Sequence, residues 1–359
     1  MSWGLQRRAW IAALAGAAAT GIYPIAWAGW LDRFKRGDEF LPLPQLDHKV
    51  PLRVVYAHNP RFARPAPELL AQVLLRAETL CLQHLRLNVQ FEMLVEQDIG
   101  TLFEGVTPSV WRRFKADIYD YRDGPPDRKK LITQMKAVVA ANRSAVGEQI
   151  AFAKPHLLST TEPKNASTLA EALVDTQLAR FAAWQQLQGL DGRALLNDSI
   201  FNEYFAWVYA PRTKAWPFEI VITNQLVVSV EYADNSVHSA LRGGVSNGIT
   251  TQSPASRFGT VSVCSVFPMT SQDAVTSQLR GQAPGTDINA TETIAALLTH
   301  ELGHQLLHLG HPFNSKACIM NPAELLRFDD WVKGLNAPLC PIGHLAENKP
   351  GAHRFTKLK

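Results

Sequence analysis

Apolar residues alternate in some stretches of the chain, recur at helical spacing in others and run unbroken near its start. No charged residue occurs from Ala9 to Leu31, and Arg7-Arg8 precede the run. Residues 1–31 therefore read as a targeting segment, with Ala26-Trp27-Ala28 as a cleavage site. Uncleaved, the same run is long enough to anchor the chain in a bilayer. Residues 32–50 are charged and proline-containing, as in a linker. Leu52–Tyr56 reads as a strand. Pro65–Leu87 reads as a helix with Leu69, Leu70, Val73, Leu74, Leu80 and Leu85 on one side, and Val89–Val95 as a second strand. That order predicts a parallel pair with a right-handed crossover.

Strand signals stop from 97 to 217. Arg128–Ala153, Ser167–Leu187 and Arg193–Tyr209 favour helix, and aromatic residues such as Trp184, Phe205 and Trp207 supply a core. This interval reads as a helical insertion between two strands of one sheet. Strand signals return at Phe218–Val228 and Gly259–Phe267. Asn235–Arg257, rich in Ser, Gly and Asn, reads as a loop, and Met269–Asn289 as another. Alternation in Gly259–Phe267 predicts a half-exposed strand whose edge is open to an extended peptide. The last long element is a helix from Thr291 to Gly310. Asn289 and Glu292 form a capping-box start, Gly310 is the stop, and Ile294, Leu298, Leu302, Leu306 and Leu309 make an apolar stripe. The whole predicts an α/β (α+β) domain of 51–96 and 218–345, the insertion at 97–217, and a solvated basic tail at 346–359.

Composition narrows the classes. A net charge of +4, with no long basic run, excludes a nucleic-acid partner of the usual kind. Four cysteines are too few for a disulfide scaffold, although an exported chain can form one or two bridges.

The chemistry lies on the last helix. His300 and His304 stand one turn apart on the side away from the apolar stripe, so both imidazoles can reach one metal ion. Glu301 follows the first histidine, completing H-E-x-x-H, the arrangement in which two histidines bind zinc and the glutamate is general base in peptide hydrolysis. Catalytic zinc takes three protein ligands. His308 lies a further turn along and cannot coordinate together with His300 in a straight helix. His311, turned back after Gly310, is the candidate third ligand; Glu324, twenty residues after His304, is the alternative and has the spacing seen in gluzincin-type peptidases.

His300-Glu301-Leu302-Gly303-His304 with His311, followed by Met320 in Cys318-Ile319-Met320-Asn321-Pro322, resembles the metzincin zinc peptidases, and most nearly the archaemetzincins. The resemblance implies a mixed twisted sheet, an active-site helix, a methionine turn in which Met320 lies beneath the zinc, and a peptide or protein substrate. The sequence departs from the family pattern: Leu307 stands at its glycine, Gly310 at its third histidine, and His311 one residue later. Archaemetzincins hold a second zinc with four cysteines. Here Pro312 replaces the first, and Cys318 and Cys340 remain, too few for such a site; a Cys318–Cys340 disulfide, which export permits, is expected in its place, with two free buried thiols as the alternative. An envelope-anchored, non-catalytic binding or scaffold protein that retains a metal site is the alternative from a different class. Glu301 speaks against it, since a purely structural site does not use that carboxylate.

Overall fold

A computed structural model of the chain describes residues 49–339 apart from 108, 110–126, 143, 160, 198, 229–236, 284–288, 308, 310 and 312–314. The targeting segment at 1–31 and the tail at 346–359 lie outside the described residues. Among the described residues, no helix is long and apolar enough to cross a membrane.

The described residues fall into two compact units, one within 116–179 and 230–241, the other within 38–115, 180–229 and 242–359. The interval read as a helical insertion thus contributes to both. In the first unit, α3 (Arg128–Ala141) buries Leu131, Met135 and Val139, the i, i+4, i+8 positions of one face. The buried Gln149 side chain of α4 (Val146–Ala153) donates to the Val139 and Ser144 carbonyls and ties the two helices together.

The second unit is mixed α/β around a mostly parallel sheet. Its strands are β1 (Val50–His58), β2 (Val89–Met93), β3 (Gln97–Asp98), β4 (Ile220–Thr223), β7 (Gly248–Gln252) and β8 (Thr260–Ser265), in the order β2-β1-β4-β8-β7, with β3 also beside β1. β2, β1, β4 and β8 run parallel, and β7 closes the row antiparallel to β8. A small separate pair joins β5 (Val227–Val228) to β6 (Val245–Ser246). α1 (Pro67–Leu80) follows β1 and buries Leu70, Val73, Leu74, Ala77 and Leu80. The long helix α10 (Ala290–Leu307) packs on α1, β7 and β8.

Several expectations are corrected. The Thr260–Ser265 strand has neighbours on both sides and offers no edge; β7 is the terminal strand, and it lies in the stretch read as a loop. Arg193–Tyr209 is not one helix. Gly189 and Gly192 support a tight turn in which the Gly189 N–H bonds to the Arg193 carbonyl, and helix α6 begins only at Tyr204 and runs to Lys214. The Met269–Asn289 loop contains α9 (Ala274–Arg280), capped by the Asp273 carboxylate. β3 adds a strand signal inside 97–217. Helix α10 is buried all round from Thr293 to Leu307 rather than along one stripe, because Ala295, Ala296 and Gly303 let neighbours approach on its other sides.

Candidate metal centre

α10 is held at both ends. Asn289 accepts the Glu292 N–H at 3.2 Å, the forward half of the capping box. Glu292 does not close the box; it takes a two-pronged ion pair from Arg76 of α1 at 2.6 Å. Near the other end, the buried Gln305 amide donates to the Glu219 and Thr260 carbonyls, both at 3.0 Å, fastening the helix to the starts of β4 and β8. The residue before it is His304.

His300 and His304 project from successive turns of α10. The chain leaves the helix after Leu307, and the Leu309 N–H returns to the Gly303 carbonyl at 3.1 Å. This fold-back brings His311 to the pair: the three Nε2 atoms lie 3.0 Å (His300 to His304), 2.9 Å (His304 to His311) and 3.1 Å (His300 to His311) apart. Among the described residues, these three alone gather as a possible metal-holding group of His, Cys, Asp or Glu; Glu324 is not part of it.

The outer nitrogens are equally constrained. His300 Nδ1 donates to the Ile319 carbonyl at 2.8 Å and His304 Nδ1 to the Leu309 carbonyl at 2.6 Å. A carbonyl only accepts, so it fixes the tautomer and leaves each Nε2 with a bare lone pair. Burial, together with His304 in the first case, pushes His300 down to about 3; burial pushes His304 down to about 4. Neither ring carries a second proton at neutral pH. Two lone pairs facing at 3.0 Å cannot hydrogen-bond to each other. A cation between them would satisfy both, and the donor set, three imidazole nitrogens, suits a transition-metal ion.

Met320 packs against α10 at Gly303, the residue before His304. It is fully buried, and a Cβ on Gly303 would collide with its sulfur. The turn carrying it, closed by the Asn321 N–H on the Cys318 carbonyl, also presents the Ile319 carbonyl to His300. Trp331 of α11 (Phe328–Gly334) meets the His300 ring edge-on at a centroid distance of 6.1 Å. Cys318 is fully buried; Cys340, its expected disulfide partner, lies outside the described residues, as do His308, Gly310 and Pro312. Cys81 and Cys264 pack as buried thiols.

Glu301 points from α10 toward β7. Its carboxylate Oε2 accepts the Thr250 hydroxyl at 2.8 Å, and the side chain is 6 % exposed. Burial pushes the carboxyl up to about 7, against the opposing pull of the Thr250 hydrogen bond. The site thus combines a triad that could hold a metal ion with a carboxyl pushed up to about 7.

Sequence reasoning missed Thr250, Gly248, Gln305 and the two carbonyls that orient the histidines. Thr250 and Gly248 lay in the stretch read as a loop, and the backbone acceptors leave no mark in side-chain identity. No protein-family model matches the chain, and no characterised protein or solved structure matches it.

Proposed function

We propose that this chain is a zinc-dependent peptidase of metzincin-like design, with His300, His304 and His311 as ligands and Glu301 as general base. The observation that carries it is the convergence of three imidazole nitrogens, two with fixed lone pairs, beside a buried carboxylate on the residue following the first ligand. His311 reaches the pair although it stands one residue later than in the metzincin pattern, and Met320 packs against Gly303, the residue before His304.

A zinc ion held there would supply Lewis-acid activation of water and of a substrate carbonyl. Glu301 takes a proton from the attacking water at Oε1, the oxygen not engaged by Thr250, and delivers it to the departing amine. The Ile319 and Leu309 carbonyls hold the ligand rings in their binding tautomer. Strand β7 aligns the substrate. The Ser265 N–H bonds to the Asn247 carbonyl and the Ser253 N–H to the Gly259 carbonyl, so the bonded pairs with β8 fall at Ile249 and Thr251. Gly248, Thr250 and Gln252 therefore turn their backbone groups outward, able to pair with an extended peptide. The basic pair and uncharged run at 7–31 support export, cleaved or anchored.

The test is metal content by elemental mass spectrometry, followed by a peptide-library digest. About one zinc per chain is expected, lost in His304→Ala. Glu301→Gln should keep the metal and lose activity by about 10²–10⁴-fold. Metal retained in the wild type without hydrolysis of any peptide would replace this reading with the scaffold alternative.

A further inference from the structure

We propose that Thr250 is a positioning residue for Glu301: its hydroxyl, backed by Ser262, fixes one carboxylate oxygen and leaves the other, lodged over Gly248 and without a hydrogen bond among the described residues, to take the proton. This rests on the peptidase reading above.

Glu301 belongs to α10, but its carboxylate is held by the sheet. Thr250 Oγ1 donates to Oε2 at 2.8 Å, and among the described residues this is the only hydrogen bond the Glu301 side chain makes. Thr250 has a single hydroxyl proton. Once that goes to the carboxylate, the 3.0 Å contact between Thr250 Oγ1 and Ser262 Oγ can only be donated by Ser262. The donors to the carboxylate therefore run from Ser262 to Thr250 to Glu301. Ser262 is fully buried, and its single proton is shared between Thr250 Oγ1 and the Glu301 backbone carbonyl, to which the hydroxyl donates at 3.4 Å.

The sheet register makes this arrangement. Thr250 and Ser262 are directly opposite in the β7–β8 ladder. They form one of its non-hydrogen-bonded pairs, where side chains stand closest. Two residues earlier, on the same face of β7, is Gly248. A Cβ there would collide with Glu301 Oε1 and would come within 2.6 Å of Cδ, so the carboxylate occupies the space a side chain would fill. A slot at Gly248 and a donor at Thr250 define one seat for a side chain with three rotatable bonds.

Seating matters for rate more than for binding. A base held in the reacting geometry avoids an ordering cost at the transition state, and a displacement of about 1 Å costs on the order of 10²-fold. A hydroxyl that merely satisfied a buried carboxylate would instead show in stability alone. The outward backbone groups of β7 belong to the same strand, so the element that aligns the peptide also seats the base.

The experiment compares Thr250→Val, which deletes the hydroxyl at nearly constant shape, with Thr250→Ser, which keeps it. Each is assayed as zinc-loaded full chain for metal content, kcat and KM on a library-selected peptide, and for acetohydroxamate binding by calorimetry. Glu301→Gln runs alongside. Thr250→Val should keep its zinc, lose about 10–100-fold in kcat with KM within about twofold, and bind acetohydroxamate about tenfold more weakly. Thr250→Ser should recover most of each loss. Should Thr250→Val not fold, Ser262→Ala makes the test from behind the threonine, with a several-fold loss in kcat expected.

Unchanged kcat in Thr250→Val, a loss confined to KM, or an equal loss in Thr250→Ser overturns the proposal. If the wild type hydrolyses no peptide, the peptidase reading fails, and the acetohydroxamate arm decides this one alone. Weakening by both Glu301→Gln and Thr250→Val sustains the seating of the carboxylate. Weakening by Glu301→Gln only, or no acetohydroxamate binding to the zinc-treated wild type, overturns it.

Discussion

Gly303 shows how closely single atoms govern the centre. It stands between the two helical histidines along the chain, and a Cβ at that position would collide with the Met320 Sδ. Met320 is fully buried and stands next to Ile319, whose carbonyl orients His300. Gly303→Ala should therefore overpack this contact at a cost of about 1–3 kcal/mol and displace the carbonyl, weakening metal binding. In Met320→Ala the new methyl has room. The double variant should be less destabilised than the sum of the singles, with a coupling of about 1 kcal/mol or more in thermal melts and zinc competition. Additive losses would mean that the glycine serves only the helix backbone. The residue types of this centre were legible in the sequence, because His300, Glu301, His304, His311 and Met320 carry their chemistry in their side chains. Its orienting groups were not: the Ile319 and Leu309 carbonyls belong to every residue alike, and only the folded chain says which of them faces an imidazole.

Among the elements, those with strong internal periodicity were legible and those defined by their neighbours were not. The α1 apolar positions Leu70, Val73, Leu74 and Leu80 recur at helical spacing and are buried as that spacing requires. β7, Gly-Ile-Thr-Thr-Gln, offers a single large apolar side chain, and its neighbourhood of Ser, Gly and Asn reads as loop. It is a strand because β8 provides a ladder for it, an instance of strand formation set by context rather than propensity. Its weak pattern also hides the edge: alternation makes β8 read as the exposed strand, yet β4 and β7 cover both its sides. The corrected edge makes a prediction. Gln252 turns its N–H away from β8, so proline at 252 leaves the ladder intact while removing one outward donor. Gln252→Pro should retain its zinc and raise KM for extended peptides several-fold, and should leave turnover at saturation within about twofold. Steady-state kinetics on the library-selected peptide check this, and an unchanged KM would remove β7 from substrate alignment.

For the whole molecule, two buried titratable groups outside the centre contribute to the response to acid alongside the histidines of the centre. Glu219 is fully buried. Burial alone would raise its carboxyl, but the Arg53 guanidinium and the Arg53 and Arg257 backbone N–H groups outweigh it and hold the carboxyl below its usual range. His84, 5 % exposed, is pushed down by burial and by Arg76 of α1, against the opposing charge of Glu292 of α10, and its Nδ1 has no partner among the described residues. Both groups bind protons more readily in the unfolded chain than in the folded one. Each therefore contributes stability that is complete above its unfolded value and is lost as pH falls toward the folded one. The loss should come in two stages, from about pH 6.5 downward for His84 and from about pH 4.3 downward for Glu219. Urea unfolding with excess chelator, at pH 7.0, 5.5 and 4.0, reads both. The difference between wild type and His84→Leu cancels the other histidines, and it should move in favour of the variant by up to about 1.4 kcal/mol per pH unit below 6.5. Glu219→Gln should lose about 3 kcal/mol at pH 7, where the pair with Arg53 is intact, and progressively less once the wild-type carboxyl is protonated. A His84→Leu difference that stays flat from pH 7.0 to 5.5 would mean that His84 takes up its proton in the folded chain, and that the first stage belongs to other histidines, His300 and His304 among them.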